Sequence, residues 1–286
     1  MTIAVRAPDH LGDAVMALPA VAALAELGPV TVHCRGRWAP ELFAGFPVAS
    51  EAPPPAAALA VMLKPSWHAA LQWRHLRTIG VGPALLYAVA LPERVEHRRD
   101  RYARIAAAAG ATVRGLPVFL VPGIAPALPA RFVALNPVSP SATVRWAGFA
   151  ALAARLAPLP VVGFCGPGEG AAAREALGPD VPLVEGLSLA DFAAALAGCA
   201  AFVSNDSGAA HLAAACGAPV VMVHGSTAPE RTGVGVAVER PERRWCQPCY
   251  RKSCPFGLPC LAVAVEDVER AVRTLWRNDP ATRPLG

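Results

Sequence analysis

The sequence predicts an α/β protein with two doubly wound, Rossmann-like domains facing a cleft. Short apolar runs of strand length alternate with helix-like runs in both halves of the chain, and polar turns follow the strand-like runs. A stretch rich in proline and alanine, residues 120–131, separates the two halves and is the candidate linker. With 286 residues and 54% hydrophobic content, the chain can bury a core in each of two domains, which we place at 1–126 and 127–286.

The first half supplies the first candidate site residue. Its runs predict strands at 3–6, 31–34 and 57–63, helices at 14–27, 39–44 and 69–76, and a strand or short helix at 85–91. Pro19 lies inside the first helical run, where its missing N–H should kink or split the helix. Asp13 lies between the first strand and this helix, at the sheet edge where open α/β proteins bind ligands. Its carboxylate could be a helix N-cap or a catalytic base, and the residues alone leave both interpretations open.

The second half repeats the alternation. Its runs predict strands at 132–135, 161–164, 183–184, 200–203 and 220–224, and helices at 149–156, 172–177, 189–196, 209–216 and 265–277. The last of these helices could pack back on the first domain. Because each strand is followed by a helix, the sheet should be parallel, and its ligand edge should lie at the carboxyl ends of the strands.

The stretch 202–212 (FVSNDSGAAHL) joins a strand to a helix through a polar turn. Free N–H groups at a helix start attract phosphate, and Gly208 allows a ligand to approach the backbone closely. Asp206 and Ser207 are typical N-cap residues, and His211 lies one turn into the helix. The alternative is an ordinary helix cap with a buried histidine.

A second glycine-containing turn follows the strand at 161–164. The pattern Gly166-x-Gly168-x-x-Ala171, with Glu185 further along the chain, matches a relaxed dinucleotide fingerprint. It would then belong to an NAD-type enzyme. A tight turn between a strand and a helix explains the same residues.

Four of the eight cysteines cluster near the C-terminus. The run Cys246-x2-Cys249-x4-Cys254-x5-Cys260 could hold a structural zinc ion, form disulfides or remain as reduced thiols. The scattered positions of the other cysteines, in apolar segments, favour a reducing compartment. No run of about 18 uncharged apolar residues occurs, and Asp9 and Asp13 interrupt the flank that a signal peptide would need. We therefore expect a cytoplasmic protein, with peripheral contact at the inner face of the membrane as an option.

Basic residues are concentrated around 94–104, and Arg74 and His75 add to them. The run could be a solvated helix face or a patch for a phosphorylated or membrane-borne acceptor. Aromatic residues do not alternate with these charges, so we expect no nucleic-acid partner.

Two motifs together carry a family resemblance. The segments 11–19 (LGDAVMALP) and 205–211 (NDSGAAH), in this order and separation, resemble the family 9 glycosyltransferases, which include the ADP-heptose:lipopolysaccharide heptosyltransferases. Residues 166–169, 225–227 and the cysteine run are also similar to the family. The resemblance implies a GT-B fold whose second domain mainly holds a nucleoside diphosphate sugar. It also implies an inverting transfer that requires no metal ion or other cofactor.

The resemblance assigns roles to particular residues. Asp13 would be the general base that deprotonates the acceptor hydroxyl. The expected donor-site residues are Ser141 and Arg145 at the diphosphate with the Ser207 and Gly208 N–H groups, His211 at the phosphates, Asp206 at sugar hydroxyls, Glu169 at the ribose and Leu187 at the adenine. For the acceptor we expect Ser66, Arg74 and Arg98. Arg145 stands where relatives often carry Lys, and Pro140 stands where some offer a hydroxyl, so Ser139 or Thr143 would substitute.

The predicted function is transfer of a sugar, expected to be an ADP-linked heptose, to a lipopolysaccharide core or another surface-glycan acceptor. This acceptor would be lipid-linked or phosphorylated. Two alternatives from other classes are the NAD-type enzyme and a non-catalytic module that binds a nucleotide or glycan.

Overall fold

The computed structural model describes residues 1–278 except Pro65, Pro117 and Leu120. The chain divides into two compact units, Met1–Phe119 and Leu120–Gly286. This division lies at one end of the stretch 120–131 that the sequence suggests as a linker. Residue 120 of that stretch lies outside the described residues.

The first unit contains one six-stranded parallel sheet. Its strands are β1 (Ile3–Arg6), β2 (Val30–His33), β3 (Val48–Ala49), β4 (Leu59–Met62), β5 (Thr78–Val81) and β6 (Val89–Leu91). Its helices are α1 (Leu11–Ala25), α2 (Ala39–Leu42), α3 (Trp67–Trp73) and α4 (Arg98–Ala108). The strand order is β3-β2-β1-β4-β5-β6.

The second unit is built in the same way. Its strands are β7 (Phe132–Asn136), β8 (Val161–Cys165), β9 (Leu183–Glu185), β10 (Cys199–Asn205), β11 (Val220–Val223) and β12 (Val236–Val238). Its helices are α5 (Phe149–Arg155), α6 (Gly170–Leu177), α7 (Leu189–Ala195), α8 (Gly208–Ala215), α9 (Pro229–Thr232) and α10 (Val265–Asn278). The strand order is β12-β11-β10-β7-β8-β9, with all pairings parallel.

Both sheets have the strand order of a doubly wound nucleotide-binding domain. Counted within each unit, the order is 3-2-1-4-5-6, which confirms the predicted fold class of two Rossmann-like domains. The order reverses between β1 and β4 in the first sheet and between β7 and β10 in the second. Ligands of such sheets bind beside these switch points, at the carboxyl ends of the strands.

Helix α1 differs from its prediction. It begins at Leu11 instead of residue 14 and continues through Pro19 as one helix. Pro19 removes one hydrogen bond, but ten of the fifteen residues of α1 are buried, so packing holds the helix across the break. The edge strand β3, which has two residues, and the strands β5 and β12 were not predicted from the sequence. They are too short to show a clear period.

The core of the second unit lies on both faces of its sheet. Along β7, Val133 and Leu135 face a cluster that contains Phe149 and Val268, whereas Phe132 and Ala134 face one that contains Phe202. A strand buried on both faces reads as an uninterrupted apolar run, which is how β7 and β10 appear in the sequence. Helix α10 packs against α5, β10, β11 and β12 of its own unit.

Phe202 tests this core. It is fully buried in β10, and its ring lies 5.7 Å from that of Phe192. Because Phe202→Ala leaves a cavity that β10 cannot close, we expect the free energy of unfolding to fall by about 3–5 kcal/mol. Urea denaturation followed by circular dichroism measures this change. Phe256→Ala is the matched control, because Phe256 is 56% exposed, and an equal loss in both variants would contradict the assignment.

Candidate functional site

A buried ion-pair cluster lies at the switch point of the first sheet. Arg6, the last residue of β1, is 2% exposed. Its Nη1 and Nη2 atoms donate to the two carboxylate oxygens of Asp9 at 2.9 and 3.0 Å. Lys64, two residues beyond β4, also donates to Asp9. The cluster therefore joins the ends of the two strands that flank the switch point.

The Asp9 carboxylate is ionised in this cluster. Burial by itself would raise the pKa of Asp9, but the hydrogen bonds and charges of Arg6 and Lys64 outweigh it and hold the pKa well below its usual value. Arg6 also donates to the carbonyl of Ala7 at 2.6 Å. These bonds fix the turn from β1 into α1. Sequence reasoning missed this role of Asp9 and Lys64, although both follow predicted strands closely.

Asp13 lies in the first turn of α1 and is paired with Arg98. The N-cap of α1 is His10, so the N-cap interpretation of Asp13 is wrong. Arg98, the first residue of α4, donates from Nη1 to both Asp13 oxygens. Tyr102, one turn further along α4, is buried beside the same carboxylate, and burial together with the Asp13 charge raises the pKa of Tyr102 well above its usual value. Packing of α1 on α4 creates this group, which only the tertiary structure reveals.

The other two candidate acceptor residues lie on α3. Ser66 is the N-cap of this helix, and its hydroxyl accepts from the N–H of Ala69 at 3.4 Å. Arg74 is the C-cap residue and is exposed. The Ser66 hydroxyl therefore caps α3, whereas the Arg98 guanidinium is paired with the Asp13 carboxylate.

The basic run of 94–104 is largely compensated by acidic neighbours. Arg101 pairs with Glu93 and Glu96, and Arg104 pairs with Glu96. The Arg101 and Arg104 side chains are only 13% and 18% exposed, so the interpretation as a solvated helix face does not hold for them. These charges hold α4 to the segment before it.

At the switch point of the second sheet, two buried amides organise the loops. Asn136, the last residue of β7, donates to the carbonyl of Phe164 at 2.9 Å. Asn205, the last residue of β10, donates to the carbonyl of Pro137 at 2.8 Å and accepts from the N–H of Trp146 at 2.9 Å. Asn205 therefore ties the β7 loop to the start of α8.

The start of α8 has an N-cap residue whose side chain does not cap it. Ser207 is the N-cap, but its hydroxyl pairs with that of Ser204 at 2.8 Å. The side chain of Ser207 therefore accepts no hydrogen bond from the first N–H groups of the helix, which begins at Gly208. Together with the helix dipole, such groups form a seat for an anion.

Asp206 lies beside this seat and is surrounded by polar side chains. Thr232 Oγ1 donates to Asp206 Oδ2 at 2.8 Å. His211 Nε2 lies 3.8 Å from Asp206 Oδ1, and His224 Nδ1 lies 3.9 Å from Oδ2. Burial would raise the pKa of Asp206, but His211, His224 and Thr227 lower it to about 2. Asp206 is therefore a buried, ionised acceptor. Sequence reasoning included Asp206 and His211 but missed His224 and Thr232.

The loop after β7 carries Ser141 and Arg145. The Ser141 hydroxyl pairs with that of Thr143 at 2.9 Å, and Arg145 is exposed and donates from Nε to the carbonyl of Ser139. Thr143 Oγ1 donates to the carbonyl of Arg251 at 2.6 Å. Thr143, one of the two expected substitutes for a phosphate-binding hydroxyl, therefore already donates its hydroxyl proton to a backbone carbonyl.

The turn at 166–171 has its N–H groups filled by carboxylates. Glu169 Oε2 accepts from the N–H of Gly166 at 2.8 Å. Glu185 Oε1 accepts from Gly168 at 2.9 Å and Gly170 at 3.2 Å. A dinucleotide pyrophosphate would meet negative charge in this turn, so the arrangement favours a tight βα turn over a dinucleotide fingerprint. Leu187 is half-buried against the core beyond it.

The structure describes the C-terminal cysteine run and the lengths of the helices. Cys246, Cys249, Cys254 and Cys260 are free thiols, and burial raises the pKa of Cys260. Within residues 1–278, less the three gaps, no group of three or more potential ligands is arranged to hold a metal ion. Over the same residues, the helices are all too short or too polar to cross a bilayer.

Two Rossmann-type sheets with charged and amide clusters at their switch points define an α/β protein with the architecture of nucleotide-binding domains. The profile of Glycosyltransferase family 9 (heptosyltransferase) matches residues 95–258, which is more than half of the chain. The chain belongs to this family and is a glycosyltransferase. The matched range includes the motif 205–211 but begins after Asp13.

Solved structures extend the likeness in fold to both units. Escherichia coli ADP-heptose lipopolysaccharide heptosyltransferase II is 18% identical, with a TM-score of 0.72 over 96% of this chain and 98% of that chain. A family 9 glycosyltransferase from Veillonella parvula DSM 2008 is 16% identical, with a TM-score of 0.73 over 96% and 97%. E. coli heptosyltransferase WaaC with ADP-2-deoxy-2-fluoro heptose is 15% identical, with a TM-score of 0.71 over 96% and 99%. A comparison with curated protein sequences finds no match.

Asp9→Asn tests the buried cluster. Because the variant leaves the buried Arg6 guanidinium with a neutral amide in place of its main partner and only the 3.4 Å contact with Glu51 as a charged one, we expect the free energy of unfolding at pH 7 to fall by about 3 kcal/mol. The native pKa of Asp9 is depressed, so its contribution is complete above the unfolded value of about 3.9 and disappears as the pH falls through the native value. Urea titrations from pH 3 to pH 8 should show a constant difference above pH 5 that shrinks below pH 4. Asp100→Asn, at a carboxylate that is 58% exposed, is the control and should change little.

Proposed function

We propose that this glycosyltransferase moves a heptose from an ADP-linked donor to a lipopolysaccharide core or similar surface glycan, with inversion at the anomeric carbon. One observation carries the proposal: the two motifs typical of the family lie at the switch points of the two sheets. Each motif places an acidic side chain there, Asp13 in one unit and Asp206 in the other.

The donor seat is proposed at the start of α8. The N–H groups beginning at Gly208 carry no side-chain cap from Ser207 and would bind the diphosphate, with Arg145, Ser141 and His211 as supporting groups. The exposed Arg145 guanidinium is available for a bidentate contact. We assign sugar hydroxyls to Asp206, because a buried ionised carboxylate accepts hydroxyl donors strongly.

Recognition of the nucleoside is proposed for the neighbouring loops. Glu169 would meet the ribose through the carboxylate oxygen that Gly166 leaves free, and Leu187 would meet the adenine. Two of the similar structures are named for ADP-heptose or contain an ADP-heptose analogue, which supports ADP as the nucleotide.

In the proposed reaction, Asp13 takes the proton of the acceptor hydroxyl. The acceptor oxygen then forms a bond to the anomeric carbon as the bond from that carbon to the diphosphate oxygen breaks. Inversion requires that the acceptor oxygen attacks the anomeric carbon from the side opposite the leaving diphosphate. Negative charge develops on the diphosphate, and pre-oriented N–H groups stabilise it without a metal ion.

The acceptor is proposed to be lipid-linked or phosphorylated and to bind the first unit. Arg98 would present Asp13 and contact acceptor anions, with Arg74 and the Ser66 region as further contacts. We propose that the enzyme works in the cytoplasm, with peripheral contact at the inner face of the membrane as an option for reaching such an acceptor.

Asp13→Asn tests the base. The amide keeps the shape of the carboxylate but cannot take a proton, so we expect kcat to fall at least 100-fold. Donor affinity should stay within about twofold, since Asp13 is assigned to the acceptor. Transfer from ADP-heptose and calorimetric donor titration measure the two quantities. Asp100→Asn should retain full activity, and transfer retained by Asp13→Asn would refute the role.

Calorimetry with ADP and NAD separates the alternative functions. We expect ADP to bind and NAD to bind at least tenfold more weakly, because Glu169 and Glu185 fill the turn at 166–171. Tight NAD binding without ADP binding would instead favour the dinucleotide enzyme. Donor binding without transfer or donor hydrolysis, across a panel of sugar nucleotides, would identify a non-catalytic module.

A further inference from the structure

His224 is a buried histidine that neither family motif contains. It follows β11 directly and has no exposed surface. Its Nδ1 atom lies 3.3 Å from Thr227 Oγ1 and 3.9 Å from Asp206 Oδ2. Its Nε2 atom is buried and has no hydrogen-bond partner within the described part of the chain. A buried N–H group without a partner is costly, so Nε2 should be the ring nitrogen that carries no proton.

The surroundings determine where the His224 proton lies. Burial lowers the pKa of His224, against the opposing effect of Asp206, so the ring is neutral at neutral pH. Asp206 is ionised, because its pKa is about 2. The single ring proton therefore belongs on Nδ1, which faces Thr227 and Asp206, and Nε2 is the bare nitrogen.

Thr227 connects the histidine to the carboxylate. Its hydroxyl can accept from Nδ1–H of His224, and the same hydroxyl lies close enough to Asp206 to help lower that pKa. Thr232 donates to Oδ2, the oxygen that His224 also faces. Oδ1 faces His211 at 3.8 Å and is the oxygen with more remaining capacity to accept.

We propose that His224, acting through Thr227, is a positioning residue that orients Asp206 so that Oδ1 accepts hydroxyls of the donor sugar. The proposal rests on the proposed function, in which Asp206 binds the sugar. His224 touches neither donor nor acceptor in this scheme. Its effect therefore falls on the sugar portion of the donor and leaves the ADP portion unaffected.

Two amide replacements distinguish the ring nitrogens. The side-chain nitrogen of His224→Asn occupies the place of Nδ1, whereas that of His224→Gln occupies the place of Nε2. We expect His224→Asn to bind ADP-heptose within about threefold of the natural protein and His224→Gln to bind it about tenfold more weakly, the cost of one lost hydrogen bond at a charged group. ADP alone should bind both variants equally. Calorimetric titration with ADP and with ADP-heptose measures these affinities.

A second pair of variants keeps the test valid if either histidine variant is unstable. Thr227→Val preserves shape but removes the hydroxyl, and we expect it to raise the KM for ADP-heptose about tenfold with little change in kcat. Thr227→Ser restores the hydroxyl and should restore the KM. Thr274→Val, at an exposed threonine of α10, is the matched control and should change neither constant.

The outcomes separate the two proposals. If the natural protein neither binds ADP-heptose nor transfers heptose from it, the proposed function fails and the role of His224 fails with it. If the natural protein transfers heptose and all four variants keep its affinity for ADP-heptose, only the role of His224 is overturned. Weakened binding of ADP by the same factor as ADP-heptose would also overturn it, because the effect would then be general and structural.

Discussion

In the first unit, Arg6 donates hydrogen bonds to both carboxylate oxygens of Asp9. The geometry of the candidate site depends on this pairing of buried opposite charges. A guanidinium that is 2% exposed must be paired, because an unpaired buried charge costs far more than a lost surface contact. The pairing fixes the turn between β1 and α1. Asp13, which lies one turn beyond Asp9, is held in place by the same turn and by Arg98 from α4.

In the second unit, the buried polar groups at the switch point are paired through side-chain amides instead of ion pairs. Asn136 and Asn205 end the two strands at the switch point, and their side chains satisfy backbone groups of neighbouring loops. A buried polar network in which the members are paired is rigid and specifies one arrangement. Because the Ser207 hydroxyl is hydrogen-bonded to the Ser204 hydroxyl, it does not cap the first N–H groups of α8. The absence of a side-chain cap from Ser207 at the start of α8 is thus a consequence of how the strand ends are hydrogen-bonded.

The net charge of +5 does not translate into an open cationic patch along α4. Arg98, Arg101 and Arg104 are each paired with a carboxylate. Fixed N–H dipoles at a helix start stabilise an anion with less reorganisation than flexible surface cations. The glycine turn at 166–171 differs from the start of α8, because the carboxylates of Glu169 and Glu185 already accept hydrogen bonds from its N–H groups.

The amino-acid sequence by itself determined the α/β class, the division into two alternating halves and the two motifs that contain Asp13 and Asp206. Periodicity and strand-end polarity are local properties, and the parallel sheet follows from them. Helix α1 shows where local reasoning fails, because burial overrides the helix-breaking tendency of Pro19. Only the tertiary structure decided which side chains meet. Arg98 reaches Asp13 across 85 positions, and His224 and Thr232 reach Asp206 from separate elements. Such pairings depend on how helices pack on the sheet, and a single sequence carries no local signal for them.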